Sequence, residues 1–169
     1  NFLRFSLLPE APYFTDAALR EIAKHRLQLA GECCRRAGLR GIALDTCSRN
    51  GMYDYRWEGH PLDSSPSILA SGARQFACDL LRSFIRACPE GEILLLATDA
   101  ETAPPLWFSF LDGALESVGA AESIPLSLAL YDDGVPREME YYRNHPRRMD
   151  RLLHKRLSPV AHERWKRQC

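Results

Sequence analysis

The chain has 169 residues, and its 22 basic residues are balanced by 22 acidic ones, so its formal net charge is zero. This balance argues against a partner as highly charged as bulk nucleic acid. The hydrophobic share of 46% is ample for a buried core, and no apolar stretch approaches the roughly 20 residues that span a bilayer. The composition therefore predicts a globular domain that does not span a membrane.

Strand and helix signals alternate from the start of the chain. A strand is predicted over residues 2–8, and a helix over residues 16–37 follows, with Thr15 as its N-cap and Gly38 as its C-terminal cap. The residues expected on the buried face of this helix are Leu19, Ile22, Ala23, Ala30, Cys33 and Ala37. Residues 39–45 then form a second, buried strand.

A long loop over residues 46–64 separates this strand from the next helix, which opens at Ser65-Pro66 and ends at Cys88-Pro89. A third strand is expected over residues 92–98, and a third helix runs from near Pro105 to Gly119. In that helix Gly113 permits close helix packing, and Asp112 is expected to be solvated. The core positions of this helix are predicted to include Phe110, Leu111 and Leu115.

A fourth strand is expected over residues 124–131. The segment 136–169 that follows is rich in arginine and is predicted to be helical, with interruptions at Pro146 and again at Ser158-Pro159. One interpretation is a basic surface that contacts nucleic acid or another anion, with Tyr141, Tyr142 and Trp165 available for stacking. The favoured interpretation is an outer helical face. Its buried stripe would consist of Met149, Leu152, Leu153 and Leu157.

Four apolar strands that alternate with helices predict an α/β domain with a parallel sheet, which we expect to be covered on both faces. The chain contains neither G-x-G-x-x-G nor a phosphate-binding G-x-x-x-x-G-K-[ST] pattern, so no nucleotide cofactor is expected. The favoured architecture is part, about half, of a TIM-type (β/α)8 barrel, with residues 1–169 as a single partial domain. The chain begins with Asn1, and its natural amino terminus is expected to be missing.

The six cysteines show no zinc-ligand spacing, so we expect free thiols and no metal. Free thiols are typical of a reducing compartment, which favours the cytoplasm.

In a barrel, the residues just beyond each strand line the site. Four strand ends therefore supply the candidates, which are Glu10, Asp45, Asp99, and Tyr131 with Asp132. Asp45 is the most informative candidate, because a carboxylate at the end of an apolar strand needs either a partner for its charge or a functional role. The alternative is that Asp45 caps the following turn, and the same alternative applies more strongly to Asp99 and Asp132.

The loop after Asp45 carries aromatic side chains, whose flat faces and polar tips suit the binding of a sugar or another small polar ligand. They are Tyr53, Tyr55, Trp57 and His60. The alternative, slightly favoured, is that these side chains are buried and hold the loop against the rest of the domain. Two carboxylates on neighbouring strands, Asp45 and Asp99, are the predicted catalytic pair for glycoside hydrolysis, with one as acid and the other as nucleophile or base. A minority hypothesis makes Cys47 a nucleophile assisted by His60.

Four segments carry a resemblance to a known group of proteins. They read GLRGIALD at 38–45, YDY at 53–55, SGARQF at 71–76 and FSFLDGAL at 108–115. Together they resemble a poorly characterised group of glycoside-hydrolase-like (β/α)8 TIM-barrel proteins, over most of residues 2–118. The resemblance implies a barrel acting on a carbohydrate, with an Asp-x-Glu pattern at Asp45, Thr46 and Cys47. Cys47 stands at the second carboxylate position, and a thiol does not act as a general acid of suitable pKa without retuning.

Three functions stay open at this point. The first is a glycoside hydrolase with carboxylates at the strand ends. The second is a carbohydrate-binding or structural barrel fragment without catalysis, and the third is a basic module that interacts with nucleic acid or another anion.

Overall fold

The computed structural model of the chain describes residues 1–8, 10–46, 51–97, 103–119, 125–130 and 139–168. The strands are β1 (Phe2–Ser6), β2 (Gly41–Asp45), β3 (Glu92–Ala97) and β4 (Leu126–Leu130). The helices are α1 (Ala17–Ala37), α2 (Pro66–Ala87), α3 (Pro105–Gly119), α4 (Met139–Arg156) and α5 (Pro159–Gln168). The predicted alternation of strands and helices is confirmed. None of these described helices combines the length and apolar character needed to cross a membrane.

The four strands form one parallel sheet in the order β1-β2-β3-β4. Because right-handed crossovers between strands in sequential order all turn the same way, they place their helices on one face of the sheet. In agreement, α2 packs between α1 and α3. The prediction of helices on both faces is therefore wrong for the part of the chain that the structure describes, because the strand order never reverses.

Side chains that point towards the helices form the core of the sheet. Ile42 and Leu44 of β2, and Ile93 and Leu95 of β3, are at most 1% exposed. They meet apolar residues of α2 that are fully buried, namely Phe76, Leu80, Leu81 and Phe84. The other face of the sheet, the open face, is the one that carries Arg4 of β1. It carries Arg4, Ala43, Leu94 and Ser127 in one aligned row, of which Arg4 and Ser127 are exposed.

Helix α1 begins at its N-cap Asp16, whose Oδ1 accepts a hydrogen bond of 3.0 Å from the backbone N–H of Leu19. Asp16, and not Thr15, is therefore the cap, because the Thr15 hydroxyl donates to the carbonyl oxygen of Pro12 instead. Gly38 ends the helix as predicted, with a φ of 62° that favours glycine.

The buried face of α1 differs from the predicted one. It consists of Ala23, Leu27, Ala30, Gly31 and Cys34. Ile22 is 50% exposed and Cys33 is exposed. The helical period of the prediction was right, but the predicted face was rotated by about one residue. Leu27, which is fully buried, lies on the face towards the core, and Ile22 does not.

Helices α2 and α3 approach closely at Gly113, where an added Cβ would lie 2.0 Å from the carbonyl oxygen of Arg74. The predicted role of Gly113 in close packing is confirmed. The prediction that Asp112 is solvated is wrong, since it is only 8% exposed. Its Oδ1 accepts hydrogen bonds of 2.9 Å from both the backbone N–H and the hydroxyl of Ser158, so it faces the start of α5.

At the C-terminal end, α4 continues through Pro146, so the predicted interruption there is wrong. A proline removes one backbone hydrogen bond, and this loss did not end the helix. The break at Ser158-Pro159 is confirmed, because Pro159 begins α5. The predicted buried stripe is confirmed for Met149, Leu153 and Leu157, which are at most 7% exposed.

Candidate active site at the carboxyl ends of the strands

Asp45 ends β2 on the open face of the sheet, aligned with Ser6 of β1 and Leu96 of β3. Its carboxylate forms an ion pair with the guanidinium of Arg4, which lies on the neighbouring strand two residues before Ser6. The Asp45 side chain is 13% exposed and that of Arg4 is 71% exposed. A mostly buried carboxylate is thus held at the carboxyl end of the sheet by a cation that reaches into solvent.

Thr46, the next residue, fixes the end of β2 to its surroundings. Its backbone N–H and its hydroxyl both donate to the carbonyl oxygen of Leu96, at 2.9 and 2.7 Å. The indole N–H of Trp107 donates to the Thr46 hydroxyl over 3.3 Å. Trp107 is 2% exposed and lies in the first turn of α3. These bonds restrict the backbone that presents Asp45.

Arg4, Thr46 and Trp107 were not predicted as site residues. Arg4 carried a weak signal, because it is a charge inside an otherwise apolar strand. Trp107 gave none beyond its place shortly after Pro104-Pro105.

The aromatic loop divides into buried and partly exposed members. Tyr53 is 0% exposed, and its ring meets Phe110 edge to face at a centroid distance of 5.7 Å and Phe14 at 5.6 Å. The carbonyl oxygen of Tyr53 accepts a hydrogen bond from the backbone N–H of Leu106, at 3.1 Å. Tyr53 thus packs the loop against the start of α3, as the packing alternative expects.

His60 also lies within the loop, at 7% exposure. Its ring stacks on Phe14 at 6.2 Å and meets Trp57 at right angles at 5.0 Å. The Nε2–H of His60 donates to the carbonyl oxygen of Asp54 over 3.1 Å. Burial lowers the pKa of His60, although hydrogen bonding to the backbone of Asp54 and Met52 opposes that shift. Burial therefore favours the neutral form of this imidazole.

Tyr55 and Trp57 pack against the core but remain partly exposed. Of the four aromatic residues of the loop, these two have ring surface that a ligand could contact. Glu10, the candidate after β1, is exposed. Ligand contact by these residues stays a prediction.

The other candidates, Asp99, Tyr131, Asp132 and Cys47, lie outside the described residues. Chain order puts Asp99 after β3, which pairs directly with β2, and Tyr131 with Asp132 after β4. In the described ranges, no group of three or more His, Cys, Asp or Glu residues is arranged to hold a metal ion. Cys33, Cys34, Cys78 and Cys88 are free thiols, as predicted.

Two grooves lie away from the carboxyl ends of the strands. One, of 770 Å³, lies between α1 and α2 and is lined by charges of both signs, including Lys24, Glu32 and Arg86. The other, of 500 Å³, lies near the amino ends of β2 and β3 beside Arg40 and Glu92. Neither groove contains a predicted site residue.

Comparison with family models, with curated proteins and with solved structures found no match for the chain.

Proposed function

We propose that the chain is part of a (β/α)8 barrel of the glycoside-hydrolase type, with its site at the carboxyl ends of the strands. The strand order β1-β2-β3-β4 supports a barrel, because a barrel sheet is wound in one direction throughout. A doubly wound sheet would reverse its order at a switch point. Four strands with helices on one face match half of an eight-stranded barrel.

The open face supports the same architecture. Its aligned row includes small side chains at Ala43 and Ser127, beside Leu94, which is only partly buried. The inner face of a barrel is filled by side chains from opposite strands. In the proposed architecture, the strands that complete the barrel cover this row.

The observation that carries the functional proposal is the mostly buried Asp45 carboxylate, paired with Arg4 at the carboxyl end of β2. A neighbouring guanidinium favours the ionised form of a carboxylate. Asp45 is thereby suited to act as the nucleophile or general base in glycoside hydrolysis. Asp99 follows the neighbouring strand β3 and is proposed as the general acid.

The proposed substrate is a carbohydrate, bound with the help of Tyr55 and Trp57. Helix α3 connects their loop to the carboxylate. At the start of α3, the backbone N–H of Leu106 donates to the carbonyl oxygen of Tyr53 in the loop. The indole N–H of Trp107 donates to the hydroxyl of Thr46 at the end of β2. Tyr53 of the aromatic loop and Thr46, the residue after Asp45, thus contact the same end of α3. In the proposed complex a sugar stacks on a ring of this loop beside the carboxylate.

Hydrolysis of a panel of aryl glycosides by the wild type, Asp45→Asn and Glu92→Gln tests the proposal. Glu92 is a matched control, since it also lies in the sheet and pairs with an arginine, Arg40, at 2.7 Å, but at the amino ends of the strands. We expect Asp45→Asn to lower kcat/KM about 10²- to 10⁴-fold and Glu92→Gln to leave it within about twofold.

The other outcomes separate the remaining functions. The wild type could instead bind sugars without hydrolysing them, with binding weakened in Trp57→Ala and retained in Asp45→Asn. That outcome would assign the chain carbohydrate binding and not catalysis. Equal losses in Asp45→Asn and Glu92→Gln would contradict a catalytic role for Asp45.

A further inference from the structure

A second cluster of polar side chains lies where α4 meets α5, on elements that the proposed glycosidase site does not use. The Nδ1 atoms of His154 and His162 are 3.3 Å apart, and their ring centroids are separated by 4.8 Å. On its other side, the Nε2 atom of His162 is 3.0 Å from Oδ1 of Asp150. Two imidazoles and one carboxylate are therefore connected in a row.

The corner that holds this cluster is anchored to the core. Ser158 lies between the helices, and its N–H and hydroxyl both donate to the buried Asp112 of α3. The backbone N–H of His162 donates to the carbonyl oxygen of Ser158 over 2.9 Å. His162 is 4% exposed and Leu153, one residue before His154, is fully buried. The separation of the two rings is thus set by packing that does not depend on a ligand.

We propose that His154 and His162 form a site for a divalent transition-metal ion, bound through their two Nδ1 atoms. Zinc bonds imidazole nitrogen at roughly 2.0–2.1 Å in tetrahedral geometry, which separates two such nitrogens by roughly 3.3–3.4 Å. The observed 3.3 Å therefore already fits the ion. Asp150 supplies the second feature of a metal-binding imidazole, a carboxylate that accepts the N–H of the nitrogen not bound to metal.

The tautomers agree with this assignment. Since an ionised carboxylate only accepts hydrogen bonds, His162 donates its Nε2–H to Asp150, and the lone pair of its Nδ1 faces His154. His154 is exposed, so its own proton can reside on Nε2 in contact with water. In these tautomers, the two Nδ1 atoms that lie 3.3 Å apart each carry a lone pair that can bind the ion. Without an ion, a single Nδ1–H of His154 donated to His162 satisfies the same distance.

Zinc, nickel and copper ions are the candidates, because imidazole suits these metals better than it suits magnesium or calcium. Solvent on the exposed side of His154 supplies the remaining ligands. Two protein ligands predict a moderate affinity and an exchangeable ion, in contrast to a closed structural zinc site with four protein ligands.

Isothermal titration of the full chain with Ni²⁺, and then with Zn²⁺, tests the site. Nickel ions are the first probe because thiolates compete less for them than for zinc. We expect one ion per chain. His154→Gln, which alters an exposed side chain, should weaken this binding at least about 100-fold, and Asp150→Asn should weaken it about 10- to 100-fold. His25→Gln, in an exposed position of α1, is the matched control and should bind like the wild type.

Imidazole nitrogen shifts in NMR spectra provide a second readout. On addition of Zn²⁺, the Nδ1 resonances of His154 and His162 should move and those of His25 should not. Absence of binding to the wild type would overturn the proposal and leave a pair of histidines that share a proton. Binding unchanged in His154→Gln would overturn it as well. Either result leaves the proposal for Asp45 untouched, because the two sites share no residue.

Discussion

Arg4 of β1 forms an ion pair with Asp45 at the end of β2, diagonally across two neighbouring parallel strands. Replacement of Arg4 by Met leaves a mostly buried carboxylate without this cation. We expect the free energy of unfolding to fall by about 1–2 kcal/mol, more than for an exposed pair and less than for a fully buried one.

Urea denaturation of the wild type, Arg4→Met, Asp45→Asn and the double variant measures the coupling between the two residues. A coupling energy near zero would show that the pair contributes nothing to stability. The same cycle on Arg40 and Glu92 is a control for an ion pair at the other end of the sheet.

Asp112 is predicted to be the most sensitive acidic residue of α3, because it is buried and accepts two hydrogen bonds from Ser158. Asp112→Ala leaves the start of α5 without its acceptor and should lower the free energy of unfolding by about 2–3 kcal/mol. Glu116→Gln, which changes an exposed pair with Arg74, should lower it by less than about 1 kcal/mol. Similar losses in both variants, measured by urea denaturation, would contradict this difference.

Gly113→Ala tests the contact between α2 and α3. Alanine normally favours a helix over glycine by about 1 kcal/mol, but here the new Cβ would lie 2.0 Å from the carbonyl oxygen of Arg74. The helices must separate, so we expect a net loss of about 1–3 kcal/mol. Ser71→Ala, at an exposed position of α2, should change stability by less than about 0.5 kcal/mol. A thermal midpoint raised by Gly113→Ala would contradict the predicted clash.

Local sequence signals predicted the elements, and tertiary contacts decided where the prediction was wrong. Ser65-Pro66 and Gly38 mark helix ends through their own backbone preferences, and both predictions are confirmed. The burial of Asp112 depends on Ser158, which is 46 residues away. No periodic pattern within α3 carries that information.

The candidate site follows the same division. Asp45 was predicted because an apolar strand ends at a carboxylate, a feature local to β2. Its partner Arg4 is 41 residues away, and the bond between Thr46 and Trp107 spans 61 residues. Pairings over such distances depend on strand order and register, which alternation alone does not determine.

Stability should depend on pH through His60. Burial lowers the pKa of His60 in the folded state, whereas in the unfolded chain it is about 6.5. The unfolded state therefore takes up the proton first, and stability present above pH of about 6.5 is lost as the pH falls towards the lower folded pKa.

His60→Gln should reduce the loss of stability between pH of about 7.5 and about 5.5, measured by urea denaturation at both values. His25→Gln, which changes an exposed histidine, should leave that loss as it is in the wild type. An unchanged loss in His60→Gln would assign the pH dependence to other groups.

The described thiols should differ in reactivity. Burial is the main cause that raises the pKa of Cys34, Cys78 and Cys88, whereas Cys33 is exposed. Since the thiolate is the reactive form, iodoacetamide should modify Cys33 first among these four in the folded chain. Mass spectrometry of peptides after brief labelling checks this order, and labelling in urea should make the four rates similar. Equal rates for Cys33 and Cys34 in the folded chain would contradict the assigned burial.

The most direct test of the proposed function is a titration of the isotope-labelled chain with short oligosaccharides, followed by amide and indole shifts in NMR spectra. We predict that the signals that move belong to the carboxyl ends of the strands and the aromatic loop, above all Thr46, Tyr55 and Trp57, and that Asp45→Asn changes their pattern. Signals near Glu92, at the amino ends of the strands, should stay in place. Shifts confined to the amino ends, or no shifts with any oligosaccharide, would contradict a carbohydrate site at Asp45.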